Sequence, residues 1–106
     1  MDEVRPVEFL GDPLPRMRDF PESVRKEAGV QRHKIQLGMD PSDWKPMASI
    51  GTGVREIRIR DEAGIFRVIY VTKIIDAVYV LHAFQKKTQQ TSKQDFDLAI
   101  SRLKQI

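Results

Sequence analysis

Residues 54–84 read VREIRIRDEAGIFRVIYVTKIIDAVYVLHAF, and their patterning decides the fold class. From Val54 to Arg60 the side chains alternate, Ile57 and Ile59 on one side and Glu56, Arg58 and Arg60 on the other, as in a strand with one wet face. Asp61-Glu62-Ala63-Gly64 supplies hairpin chemistry. Ile65 to Thr72 is apolar on both faces except at Arg67. Asp76-Ala77 turns the chain into Val78 to Phe84, again apolar on both faces. Three consecutive strands follow, the last two with few polar positions on either face.

Upstream, Val4 to Leu10 reads as a short first strand ending at Gly11-Asp12-Pro13, and Leu14 to Arg18 as one or two helical turns. Asp19 and Glu22 have capping-box spacing. Phe20, Val24, Ala28 and Ile35 then share a helical face to about Gly38. A loop around Trp44 follows, with the tryptophan expected as a core plug. Downstream, Ser92 caps a helix whose stripe is Phe96, Ala99, Ile100 and Leu103. The order β-α-α-β-β-β-α predicts an α+β fold, one domain over residues 1–106, with helices on one face of a mainly antiparallel sheet.

Composition narrows the function classes. The 106 residues carry a net charge of +3, with 41% hydrophobic and 31% charged residues, ordinary values for a globular domain. No apolar run approaches the roughly 20 residues of a membrane span. The acidic start MDEVRPVEF lacks an apolar signal core, so a cytoplasmic protein is expected. Cysteine is absent, which excludes disulfides, thiol nucleophiles and thiolate metal sites. Residues 1–29 hold seven acids and five bases, whereas 30–106 hold eight acids and thirteen bases. That asymmetry points to an anionic partner for the C-terminal two-thirds.

The cations of the strands are the candidate chemistry. An unpaired Arg67 inside an apolar strand would cost several kcal/mol, so it is either paired or opens onto an anion-accepting groove. Its removal is expected to relieve a desolvation cost and leave the fold intact. Arg58 and Arg60 leave the preceding strand opposite its isoleucines, and Lys86 and Lys87 lie at the exit of the last strand. Three antiparallel strands could gather all five for a phosphodiester. A merely solubilising face is the competing reading, with Glu56 or Asp61 neutralising Arg58 and Arg60. GTGVRE (51–56) lacks the GK[ST] of a phosphate loop and reads as a turn into a strand. His33 and His82 lie in different elements, so neither a metal site nor a cofactor is expected. His82, between Leu81 and Ala83, reads first as a hydrogen-bonded core histidine, with an acid–base role left open.

The segments GVREIR (53–58), FRVIY (66–70) and VLHAFQKKT (80–88), with FPESVR (20–25), QLG (36–38) and Lys45-Pro46, closely resemble the phage-derived Gp49-like family. That family comprises HigB-type toxins of the RelE/ParE toxin–antitoxin superfamily. The resemblance implies a small antiparallel sheet with two N-terminal helices and one C-terminal helix. It also implies metal-independent cleavage of mRNA on the ribosome, arresting translation, and a helix-turn-helix antitoxin as partner in a toxin–antitoxin hetero-oligomer. Carried over by motif, Arg58 and Arg67 would stabilise transition-state charge and Lys86 would transfer protons. Lys87 would bind backbone phosphate, with His82 a further acid–base candidate; Arg60, on the strand of Arg58, is a further RNA-binding candidate by position. Glu56 stands where some relatives carry a second lysine, and no tyrosine follows Tyr79. Two other functions fit the same fold: a ParE-like toxin that binds a topoisomerase, and a non-catalytic RNA-binding module.

Overall fold

The structure is a computed structural model that describes residues 4–74, 77–86 and 91–106. Its strands are β1 (Val7–Phe9), β2 (Trp44–Pro46), β3 (Val54–Asp61), β4 (Gly64–Ile74) and β5 (Ala77–Gln85). They form one sheet in the order β1-β5-β4-β3-β2. Helices α1 (Pro13–Arg18) and α2 (Glu22–Gln36) fall between β1 and β2, and α3 (Lys93–Leu103) follows β5. The fold is α+β, and the sheet is antiparallel except where β1 runs parallel to β5.

The register explains the two cores. Ile57 and Ile59 of β3 line up with Val68 and Phe66 of β4. With Tyr70, Val78, Val80 and Ala83, they meet Met17, Phe20, Val24, Ala28 and Ile35 of the N-terminal helical region. On the opposite face Val54, Ile69, Val71, Leu81 and Phe84 meet Ala99 and the flanking Phe96, Ile100 and Leu103 of α3. Each large aliphatic side chain buried this way contributes roughly 1.5–3 kcal/mol, so strands apolar on both faces demand a layer on each side. This corrects the expectation from the sequence that the helices share one face. The first two cover one side and α3 the other.

A bulge in β5 adjusts the second face. Ile69 pairs with His82 but Tyr70 pairs with Val80, so Leu81 is the extra residue. Leu81 and His82 are consecutive yet both meet the α3 side, which strict alternation would forbid.

Three local expectations change. The segment read as a loop contains β2, whose Trp44, Lys45 and Pro46 face Ile57, Glu56 and Arg55 of β3. Three residues around a proline carry too little alternation to announce a strand. Trp44 is only half-buried, and the Arg55 guanidinium lies over its ring at 3.9 Å, so it is no core plug. Asp19 closes α1 rather than opening α2, whose N-cap is Pro21 without a side-chain bond. Ser92 does cap α3, accepting from the Asp95 amide at 3.2 Å. GTGVRE forms the expected turn into β3, with Gly53 at φ 79°, a conformation that favours glycine.

Candidate RNA-binding groove

α3 covers only part of its face of the sheet. Beyond it lie side chains that the register places together: Lys45 opposite Glu56, and Arg58 opposite Arg67. Phe84 stands opposite Arg67 on the other flank. Lys86 follows two residues later, its amide donating to the Ile65 carbonyl at 2.7 Å. The backbone ladder thus brings Lys45, Arg58, Arg67 and Lys86 to one end of one face.

Arg67 is fully buried, and it is paired. Its Nη1 donates to Glu56 Oε1 at 2.5 Å and reaches Thr91 Oγ1 at 3.5 Å. Thr91 Oγ1 also donates to Glu56 Oε2 at 3.3 Å. Glu56 is itself inaccessible. Burial pushes its carboxyl upward in pKa, against the opposing charges of Arg67 and Lys45. The expectation that removing Arg67 would relieve a cost is therefore overturned, because removal would strand a buried carboxylate. Arg67 Nε has no partner among the described residues.

Arg58 and Arg60 find a carboxylate too, though not the ones expected. Asp43 Oδ1 accepts from Arg58 Nη2 at 2.9 Å and Nε at 3.2 Å, and Asp43 Oδ2 lies 3.7 Å from Arg60 Nε. These two arginines lean over the edge of β3 toward α2, where they line a 360 Å³ cleft with Ser23, Glu27, Gln31, Asp43 and Asp61. Asp61 serves its own turn, accepting from the Ala63 amide and from Ser23.

Lys86 is half-buried, and no ion pair among the described residues engages it. Its proton affinity is lowered, first by desolvation, then by the charges of Arg67, Lys45 and Arg58, while Glu56 acts the other way. A lysine that releases its proton more easily is better suited to act as a base. Lys87 lies outside the described residues.

His82 sits elsewhere. It is inaccessible to solvent, stacked on Phe84 with ring centroids 5.1 Å apart. Arg102 Nη1 approaches its Nδ1 at 3.2 Å and Asp95 Oδ1 lies 2.7 Å from its Nε2. Since a guanidinium can only donate, Nδ1 accepts and Nε2–H donates to Asp95 Oδ1. With both nitrogens occupied under α3, His82 has the core position that its apolar neighbours suggested. His33 is exposed on α2, and no group of three or more His, Cys, Asp or Glu comes together among the described residues.

The model of the phage-derived protein Gp49-like family (DUF891) matches residues 16–104. The chain belongs to that family. Gp49-like proteins are a RelE/HigB-like toxin family within the RelE/ParE superfamily, and membership points to an antitoxin partner. No curated protein matches the sequence. In this Gp49-like protein the matched region holds the whole groove, from Lys45 to Lys86. No helix among the described residues is long and apolar enough to cross a membrane.

Sequence reasoning missed Lys45, since it lies in the segment read as a loop. It also missed Asp43 as the partner of the arginine pair. Lys45-Pro46 was visible only through the family resemblance, not through any pattern of its own.

Proposed function

We propose that this chain is the toxin of a type II toxin–antitoxin system and arrests translation by cutting mRNA in the ribosome. The observation that carries this reading is the convergence of Lys45, Arg58, Arg67 and Lys86 on one end of a sheet face, with Lys86 shifted toward its neutral form. Cleavage of RNA without a metal uses the neighbouring 2′-hydroxyl as nucleophile. Lys86, as the free amine, takes the 2′-hydroxyl proton while that oxygen attacks the adjacent phosphorus. The P–O5′ bond breaks, leaving a 2′,3′-cyclic phosphate, and the 5′-oxygen leaves as a hydroxyl with a proton from water.

Arg67 is too buried to grip RNA in this state. Its charge, close beneath the groove, acts as a preorganised positive field for the pentavalent phosphate. Arg58, at the open edge, can exchange Asp43 for a phosphate oxygen. Arg60 and Lys87 are assigned to backbone phosphates.

The test is translation of a defined mRNA by purified ribosomes with the toxin added, in buffer holding Mg²⁺ in excess, with and without a chelator selective for transition metals. Cleavage within the decoding codon, insensitive to the removal of transition metals, is expected. Intact mRNA, with DNA damage upon induction in cells, would favour topoisomerase binding. Intact mRNA with retained RNA binding would favour a non-catalytic module.

A further inference from the structure

Lys45 was not among the residues singled out for chemistry, yet the sheet register puts it across from Glu56 on the groove face. Its Nζ lies 3.9 Å from Glu56 Oε1, the oxygen that also takes Arg67 at 2.5 Å. One buried carboxylate therefore links β2, β4 and, through Thr91, the approach to α3. The two cations are not equivalent. Arg67 is at the floor with 3% of its side chain exposed, whereas Lys45 stands at the mouth with 40%.

A bland account makes Lys45 a second counter-charge that eases the burial of Glu56. The geometry argues against this as its whole purpose. Arg67 and Thr91 already satisfy both oxygens of Glu56, and 3.9 Å is beyond hydrogen-bond range. Lys45 also repels Lys86, and part of the weakened hold of Lys86 on its proton is due to it. Near the groove, Lys45, Arg67 and Lys86 stand against the single negative charge of Glu56. One positive charge is thus left over when Lys86 is neutral and two when it is protonated, whereas Arg58 has Asp43. Crowded cations with a charge excess at an open mouth are arranged for an anion that bridges them.

We propose that Lys45 is a phosphate-binding residue of the groove and that Glu56 is the positioning residue holding Lys45 and Arg67 in place. This rests on the RNA-cleavage reading and extends it. Glu56 touches no RNA; it sets where two cations stand and how much positive charge Lys86 feels.

The probe for binding is a ribosome programmed with an mRNA whose decoding codon carries 2′-O-methyl riboses, which keeps the phosphates and removes the nucleophile. Lys45→Ala should weaken binding and reduce the slope of log affinity against log salt by about 0.7, the share of one phosphate contact on a single strand. Lys45→Arg should retain both. On unmodified mRNA, Glu56→Gln should shift the rising limb of the pH–rate profile to lower pH. The carboxylate that helps Lys86 keep its proton is then gone. A residue with only a structural part would lower the rate and leave the profile where it was.

A wild-type salt slope in folded Lys45→Ala, with the wild-type protein still cutting unmodified mRNA, overturns the role of Lys45 while the RNA-cleavage reading stands. An unmoved profile in folded Glu56→Gln overturns the role of Glu56. Failure of the wild-type protein to cut unmodified mRNA removes the underlying reading, and this inference with it.

Discussion

At the scale of single residues, the decisive pair is Arg67 with Glu56. Arg67 could be singled out in the sequence because it interrupts an apolar strand, and Glu56 because it alternates with isoleucines. Their pairing could not, since it depends on the β3–β4 register, which places Glu56 opposite Ile69 and one step diagonal to Arg67. Two inaccessible opposite charges at 2.5 Å make a pair that is costly to break and much less costly to replace. Arg67→Ala should destabilise the fold by about 3–5 kcal/mol, because it leaves a carboxylate buried without its partner. Arg67→Met combined with Glu56→Leu should recover most of that loss. Urea unfolding of the three proteins checks this, and a double variant no more stable than Arg67→Ala would contradict it. For the same reason, loss of toxicity in Arg67→Ala is informative only alongside a measured stability.

At the scale of elements, α3 was the most legible part of the chain: its Ser92 cap and its stripe through Phe96, Ala99, Ile100 and Leu103 are both in place. What holds it against β5 was not legible, because the polar contacts depend on how α3 docks and one of them reaches Asp12, ninety residues away. Arg102 donates to Asp12 at 2.5 Å, to the Leu81 carbonyl at 3.0 Å and toward His82 at 3.2 Å, and His82 passes the chain on to Asp95. Gly11 is required beside it: with φ 80°, a β-carbon there would stand 2.2 Å from Arg102 Nε. Asp12, hydrogen-bonded first by Arg16 and then by Arg102, is held down to about 2. His82 is depressed below 6.5, chiefly by burial. A histidine neutral in the fold contributes stability that is complete above 6.5. That stability is lost as the pH falls below this value, where the unfolded chain takes up the proton first. Thermal unfolding across this range should show the melting temperature falling on acidification, and the fall should be smaller in His82→Gln. Equal slopes in both proteins would contradict the assignment. Ser92→Ala should cost about 1 kcal/mol through the lost cap.

At the scale of the whole molecule, the sheet is covered on one face by α1 and α2 and on the other by α3, and the cations collect at the end of the face beyond α3. The apolar double-faced strands made the layered α+β fold readable. The assignment of helices to faces was not, because either side of such strands accepts a stripe. β2 was unreadable because three residues ending in proline show no period. With it went Lys45, and so the sequence held five candidate cations but not their final grouping. Of the four that are described, Arg58 and Arg60 are tied to Asp43, Arg67 is tied to Glu56, and Lys86 has no ion pair among the described residues; Lys87 lies outside them. In the proposed RNA cleavage, everything turns on Lys86 transferring the proton. The most direct measurement is single-turnover cleavage of ribosome-bound mRNA, at saturating toxin and across pH, for the wild type and Lys86→Ala. The account predicts a 2′,3′-cyclic phosphate product and a rate lowered about 10²–10⁴-fold in Lys86→Ala, with the rising pH limb lost and binding reduced far less than the rate. A folded Lys86→Ala protein that cuts at the wild-type rate with an unchanged pH profile would contradict it.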